Sequence, residues 1–499
     1  MDYQKLKSGT DVRGSAMEIP GTPVELTDQA VEDIASAFLV WCESYLDIPA
    51  RELRIAVGRD SRLSGPRIME ALRRALVQCG VQCLDCGLAS TPSMFMAVLD
   101  LPCHAAIQIT ASHHPWHRNG LKFFTKDGGL DGPDIGKVLD LANQGACPAP
   151  AQGGTWTPSP HMEQYAAHLR RMIQEGVRAG EDEHPLAGFK IAVDAGNGAG
   201  GFYAQQVLAP LGADVSGSRF LEPDGHFPNH IPNPEDKIAM ASAQEMVTES
   251  QADLGIIFDT DVDRAGVVDS SGREINRNRL VALAAAIALE KNPGGTVVTD
   301  SITSDGLRSF IEDTLGGKHH RFMRGYKNVI NESQRLNREG CQSPLAIETS
   351  GHAAFQENYF LDDGAYLVTK IIIKLAALRR EGKGLNDLLA PLREPAEAQE
   401  VRIPILEDDF RARGEALIAS LEAHAKAQGW HIAPDNREGI RASFPQGEGE
   451  GWFLVRLSVH DPILPINIES DVPGGAALIR GKLRDFFQAN AGGLDCAAL

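Results

Sequence analysis

The chain has 499 residues, of which 43% are apolar and 23% charged. That is globular composition with too much hydrophobic content for a disordered chain, and at about 150 residues per domain the length suggests three to four domains. Asp and Glu outnumber Lys and Arg by 67 to 48, a formal charge of −19, so the surface repels nucleic-acid phosphates and anionic lipid but leaves room for a local basic pocket.

The longest apolar run, Leu280 to Leu289, is half the roughly 20 residues a membrane helix needs. The N-terminal MDYQKLKSGTDVRG lacks the hydrophobic centre of a signal peptide. The eight cysteines are thinly spread, and the Cys83–Cys86 pair sits in a strand-like stretch with no second Cys or His pair at zinc spacing. These features predict reduced thiols and a cytoplasmic protein, or an organellar one if a transit peptide has been removed.

In chain order, LRIAV (Leu53 to Val57) reads as a buried strand, GRDSRLSG as a polar loop, and about Pro66 to Gln78 as a helix. VQCLDCG and AAIQIT follow as strands, and strand–helix–strand order implies parallel pairing. The Pro-, Gly- and Ala-rich stretch from Gly145 to Pro160 reads as a linker. The pattern then restarts with FKIAVDAGNGAG, a helix from about Phe202, and the strand ADLGIIFDTD. A third round begins near Leu280, with TVVTD as a strand and RFMRGYKNVI and PLAIETSGH as strand-to-loop transitions. After Pro391, VRIPI, RASFP, WFLVRLSV and LPINIES alternate with one helix from Leu406 to Gln428. The expected domains are 1–155, 156–278, 279–393 and 394–499.

Four loops carry candidate chemistry. Gln108 to Lys122 places Ser112 after a strand, beside His113, His114 and His117 and ten residues before Lys122. That arrangement suits a nucleophile with acid–base helpers; a zinc site and a solvated polar loop are the alternatives. Asp259-Thr-Asp-Val-Asp-Arg264 sets three carboxylates at i, i+2 and i+4 behind an apolar strand. They call for a hard cation such as Mg²⁺, with a plain acidic turn as the alternative. Glu348-Thr-Ser-Gly-His352 can pair with sugar hydroxyls or simply cap a turn. Arg456-Leu-Ser-Val-His-Asp-Pro462 can hold a phosphate or form salt bridges.

Taken together these loops resemble the α-D-phosphohexomutase superfamily, most closely its phosphomannomutase/phosphoglucomutase branch. Thr110 to Pro115 with Asn119-Gly120 and Lys122 resembles the phosphoserine loop, Asp259 to Arg264 the metal loop, and Glu348 to His352 the sugar loop. Gly9 to Gly14 and Val57 to Arg62 resemble two further family segments. The resemblance implies three similar mixed-sheet α/β domains, then a smaller α+β domain, around a central cleft. It also implies a mutase that moves a phosphoryl group between C1 and C6 of an aldohexose through phosphorylated Ser112 and a hexose 1,6-bisphosphate, which also serves as activator.

On this resemblance one Mg²⁺ is held by Ser112, Asp259, Asp261 and Asp263. Arg13 and Arg264 flank the phosphoryl group, and His113, Lys122 and His352 are candidates for proton transfer. Glu348 and Ser350 grip O3 and O4. Gly325, Tyr326 and Lys327 form a loop sensing sugar orientation, and Arg456, Ser458 and His460 bind the second phosphate. Departures from the family pattern are His114, Thr260, Val459 and Asp461. The expected partners are small sugar phosphates, for a monomer or homodimer. A phosphoglucosamine-type mutase, a hexose 1,6-bisphosphate synthase and a non-catalytic sugar-phosphate binder are the competing readings.

Overall fold

The computed structural model describes residues 2–177, 184–458 and 461–499, so Val459 and His460 lie outside the described residues. The chain divides into two units, one of residues 1–280 with 350–388 and one of 281–349 with 389–499.

In the first unit an eight-stranded mixed sheet runs Lys7–Ser8, Asp11–Ser15, Arg118–Thr125, Ala105–Ile109, Arg54–Arg59, Gln82–Leu88, Thr155–Pro158, with Gly128–Gly129 paired to Arg118–Thr125. The strands from Ala105–Ile109 to Thr155–Pro158 are parallel. Arg118–Thr125 returns antiparallel, setting Lys122 opposite Gln108, and Asp11–Ser15 sets Arg13 opposite Gly120. Gly120 permits that approach, because a Cβ there would lie 2.2 Å from the Val12 carbonyl oxygen. Helix Asp28–Leu46, capped by Thr27, packs on Gly65–Gln78 and Gly132–Asn143. Val31, Ile34, Phe38, Leu72 and Ile135 fill the core beneath. The stretch expected as a linker therefore contains a strand: Thr155–Pro158 closes the sheet edge against Gln82–Asp85.

The second sheet runs Glu274–Ile275, Ala265–Asp269, Leu254–Phe258, Ile191–Asp194. Leu254–Phe258 is parallel to Ile191–Asp194 and antiparallel to Ala265–Asp269, with Phe258 opposite Ala265. Asp259 to Arg264 is thus a hairpin loop between two fully buried strands. The helix expected from about Phe202 is present, as a π-helical segment, Tyr203–Leu208, ending in a 3₁₀ turn over Ala209–Leu211 rather than as a regular α-helix. Pro210 explains it: lacking an N–H, it cannot donate to the Gln206 carbonyl, which accepts from Arg170 Nη1 at 2.5 Å instead.

Residues 350–388 return to this unit. Helix Gly364–Arg380 packs along His161–Val177, where the Tyr165 hydroxyl donates to both Asp363 carboxylate oxygens at 2.7 Å.

In the second unit Lys318–Arg321, Thr296–Thr299 and Leu345–Ile347 form parallel pairs about the central Thr296–Thr299. A five-stranded antiparallel sheet follows in the order Glu397–Pro404, Ile463–Ser470, Gly451–Val455, Ile440–Phe444, His431–Ile432. Helices Phe410–Ala427 and Gly475–Ala489 pack on it around Leu421, Phe453, Ile466 and Leu483. Buried Arg441 donates to the Ser301 carbonyl at 3.1 Å and pairs with Asp305 at 3.1 Å, joining the two sheets of this unit.

Cys42, Cys79, Cys83, Cys86 and Cys103 are buried free thiols, whereas Cys147 and Cys341 are exposed and Cys496 is half-buried. No helix among the described residues is long and apolar enough to cross a membrane.

Candidate active site

Ser112 is buried and follows strand Ala105–Ile109 directly, with φ +50°. A left-handed serine is strained and persists only where its surroundings fix it. Here its N–H donates to Thr110 Oγ1 at 2.9 Å, and Thr110 Oγ1 donates to Asp60 Oδ2 at 2.7 Å. The Ser112 hydroxyl donates to Asp259 Oδ2 at 2.9 Å and accepts from Arg264 Nη2 at 3.1 Å. Two loops 147 residues apart therefore meet at one oxygen.

Asp259, Asp261 and Asp263 present carboxylate oxygens within 4.8 Å of one another, all buried. The hairpin turns through Val262 at φ +67°, a costly conformation for a β-branched residue. The Val262 carbonyl accepts from Gly364 N at 3.1 Å and the Thr260 carbonyl from Ala199 N at 2.8 Å.

Two cations contact the three carboxyl groups. Lys122 Nζ donates to Asp261 Oδ2 at 3.0 Å and to Asp263 Oδ2 at 2.5 Å. Arg264 holds Asp259 through Nε and Nη2 at 3.3 and 3.2 Å. Burial raises the Asp259 carboxyl well above its ordinary value, reinforced by repulsion from Asp263 and Asp261. Burial works the same way on Asp263, but Lys122, His352 and Arg264 outweigh it and hold that carboxyl low. Asp261 Oδ1 and Asp263 Oδ1 are buried without a protein hydrogen-bond partner. Carboxylate oxygens left bare inside a protein fit a hard cation with oxygen ligands, so Asp259, Asp261 and Asp263 could hold Mg²⁺, with the Ser112 hydroxyl beside them.

The two histidines are in opposite states. Arg264, with Nη2 2.6 Å from His113 Nδ1, and burial together push that imidazole far below its ordinary value, so it is neutral and Nδ1 accepts. Burial also disfavours charge on His352, but Asp362, 2.5 Å from its Nδ1, and Asp263 raise it to about 9. His352 reaches the metal loop through a backbone bridge to Arg264. Arg13 pairs with Asp11 at 2.6 Å and contributes to the positive field at His113. The first unit thus brings together Ser112, His113, Lys122, the three aspartates, Arg264 and His352, with Arg13 beside them.

In the second unit Glu348 Oε1 accepts from Gly325 N at 2.6 Å. Gly325, at φ +122°, precedes helix Tyr326–Arg338, so Tyr326 and Lys327 open its first turn and are half-buried. Arg324 N donates to Glu438 Oε1 at 2.8 Å, and its guanidinium lies 3.9 Å from Asp300 Oδ2. Burial and the Arg324 charge both lower Arg456. Ser458 N donates to the Ile463 carbonyl at 3.1 Å, and Ser458 Oγ accepts from Asp461 N at 3.3 Å. Ser350 is buried at the start of the 350–388 segment.

Sequence reasoning missed several partners. Thr91 Oγ1 donates to Asp261 Oδ2 at 2.5 Å, and Asn233 Oδ1 accepts from Arg264 Nη1 at 3.2 Å. Asp362 and Asp300 were missed as well, Asp300 as a lone carboxylate and Asp362 as one of an adjacent pair with Asp363, neither in a motif that names its partner. Asn233 lies in Ile231-Pro-Asn-Pro234, whose prolines signal a rigid loop but not its target.

Models of the phosphoglucomutase/phosphomannomutase α/β/α domains I, II and III match residues 5–144, 163–272 and 276–395. A phosphoglucomutase of Neisseria gonorrhoeae is 30% identical over 438 residues, 88% of this chain and 89% of the relative. The chain belongs to the phosphoglucomutase/phosphomannomutase family. A phosphomannomutase/phosphoglucomutase of Pseudomonas aeruginosa is 29% identical over 437 residues, 87% of each chain. A phosphoglucomutase/phosphomannomutase family protein of Burkholderia thailandensis superimposes with a TM-score of 0.80 at 26% identity, covering 99% of each chain. The motif resemblance and the fold class it implied are thereby borne out, and the family places the chain among the mutases, which are isomerases.

Proposed function

We propose that this family member interconverts the 1- and 6-phosphates of glucose, mannose or both, through phosphorylated Ser112 and a hexose 1,6-bisphosphate. The observation that carries the reading is the convergence of Asp259 and Arg264 on the Ser112 hydroxyl, at 2.9 and 3.1 Å. An anionic phosphoryl group on that oxygen meets a guanidinium on one side and the acidic triad on the other. Mg²⁺ held by Asp259, Asp261, Asp263 and an oxygen on Ser112 would screen charge on the transferring group.

In the first transfer the bond between Ser112 Oγ and phosphorus breaks while a sugar hydroxyl forms the new O–P bond. The sugar hydroxyl gives up its proton and Ser112 Oγ takes one up as phosphorus leaves it. Lys122, His113 and His352 are the residues proposed to relay that proton, with His113 Nδ1 3.3 Å from Ser112 Oγ while also accepting from Arg264 Nη2. Return of the other phosphoryl group to Ser112 reverses these roles after the bisphosphate has turned over. Glu348 and Ser350 grip the sugar hydroxyls common to glucose and mannose, the Gly325–Lys327 loop reads the ring's orientation, and Arg456 and Ser458 receive the distal phosphate, with His460 completing that set.

The test is a ³¹P NMR time course with glucose, mannose and glucosamine 1-phosphates, Mg²⁺ and a trace of hexose 1,6-bisphosphate. Conversion of a glucose or mannose 1-phosphate to its 6-phosphate, lost in Ser112→Ala and under EDTA, is the expected result. Conversion of glucosamine 1-phosphate alone would replace the sugar assignment, and net accumulation of bisphosphate would replace the mutase.

A further inference from the structure

The segment Asp60-Ser-Arg62 lies outside the set of residues assigned above to phosphoryl transfer. Arg62 is fully buried and its guanidinium faces main chain. Nη1 donates to the Pro115 and Arg118 carbonyls, both at 2.9 Å. Nη2 donates to the His114 carbonyl at 2.7 Å and to the carbonyl of Ser112 itself. Four carbonyls of one seven-residue loop thus converge on a single cation. Nε faces Asp60 Oδ2 at 3.3 Å, the same oxygen that accepts from Thr110 Oγ1. Thr110 Oγ1 in turn receives the Ser112 N–H, so the guanidinium and the carboxylate grip the peptide units on both sides of the strained serine.

The far side of Arg62 is also built. The Phe227 ring, at φ +49°, lies 5.3 Å from the guanidinium carbon. A Cβ on Gly225 would meet the Leu63 nitrogen at 2.5 Å, so this segment lies directly on the Arg62 backbone. Six residues beyond Phe227, Asn233 holds Arg264. Arg62 therefore stands between the loop that carries Ser112 and the segment that aims Arg264 at it.

We propose that Arg62 is the positioning residue of the phosphoserine loop, fixing Ser112 Oγ in line with Asp259 and Arg264 through its four carbonyl contacts and the Asp60–Thr110 relay. The proposal rests on the mutase reading. Lysine cannot replace it, because three donors on one nitrogen do not span a fan of four carbonyls. Displacing a reacting oxygen by about 1 Å costs on the order of 10²-fold in rate.

The test compares Arg62→Lys, Arg62→Ala and Thr110→Val with the wild-type chain. It reads kcat, KM, the Ser112 phosphorylation level by intact mass after incubation with a hexose 1,6-bisphosphate, and amide exchange over residues 111–118. We expect Arg62→Lys to lose about 10²-fold in kcat with KM little changed, incomplete phosphorylation and faster exchange in that loop. Methylguanidinium restores part of the turnover of Arg62→Ala, which a purely structural loss would not allow. Thr110→Val, a near-isosteric change that leaves Arg62 in place, lowers kcat in the same direction and decides the matter if the arginine variants do not fold. A folded Arg62→Lys or Thr110→Val with wild-type kcat and wild-type exchange overturns the proposal. If the wild-type chain shows no turnover, it is the mutase reading that fails, and the exchange comparison still tests the scaffold.

Discussion

Lys122 Nζ lies 2.5 Å from Asp263 Oδ2, with Asp261 Oδ2 3.0 Å away on its other side. Both carboxylates are buried, and this one ammonium touches both. Removing it in Lys122→Met takes that cation from both, leaves Asp263 with Arg264 and His352 at 3.9 Å, and takes away a candidate proton donor. We expect kcat to fall by at least about 10²-fold, with Lys122→Arg recovering less than a tenth of wild-type activity because a planar fork does not fit a point-charge site. Steady-state kinetics on both variants check this, alongside thermal melts to show that each is folded.

Asp261 also accepts from Thr91 while its Oδ1 is left bare. Asp261→Asn keeps the shape and removes the charge. The Mg²⁺ concentration needed for half-maximal activity should rise by about tenfold or more, since even residues behind the ligands cost about that much in metal affinity. Titration calorimetry with Mg²⁺ on the resting enzyme gives the same shift without turnover. An unchanged midpoint would remove Asp261 from the metal set.

Asp363 gives a pH dependence with a definite sign. Burial raises its carboxyl from an ordinary 3.8 to about 6, although Tyr165, Tyr366 N and Asn358 donate to it. The folded state then binds the proton more tightly than the unfolded one. Its contribution is fully present below about 3.8 and is lost as the pH rises through about 6. Asp363→Asn can still cap helix Gly364–Arg380 but no longer titrates. In urea melts between pH 4.5 and 7.5, wild-type stability relative to this variant should therefore fall up to about pH 6 and then level off.

Gly198 supports the metal loop from below, and a Cβ there would stand 2.6 Å from the Thr260 carbonyl oxygen. That contact is with backbone held by Ala199 N, so it cannot be relieved by a rotamer change. Gly198→Ala should cost about 1–3 kcal/mol of stability and weaken Mg²⁺ binding as well. Denaturant melts with and without Mg²⁺ separate the two effects.

Glu438 accepts from Arg324 N at 2.8 Å, holding the backbone that leads into Gly325–Lys327, and also accepts from the Ser301 hydroxyl. Glu438→Gln should raise KM by about threefold to tenfold and change kcat less, the pattern of an interaction that serves substrate binding. A kcat loss with unchanged KM would place Glu438 in the chemistry instead.

The candidate catalytic groups stood out because their chemistry bunches in sequence. Three aspartates behind LGII and a serine among histidines after AAIQI are hard to explain as surface. The scaffold was not legible in the same way. Arg62 acts on main-chain carbonyls, which every residue possesses, so no pattern of side chains announces its role. Asn233 reaches Arg264 across 31 residues, and only the fold brings them together. The helix after Phe202 was legible, but its π and 3₁₀ geometry beside Pro210, one residue without an N–H, was not. The misread linker hid a four-residue strand, Thr155–Pro158, which depends on an open sheet edge and not on its own periodicity.

The distribution of thiols has a practical consequence. Five are buried, while exposed Cys147 belongs to the first unit and exposed Cys341 to the second. With the half-buried Cys496 replaced by serine, maleimide dyes would attach at one native position in each unit. Energy transfer between them then follows any change in separation during turnover, without a cysteine having to be engineered in. The same two positions would form intermolecular crosslinks in air, so purification calls for a reductant.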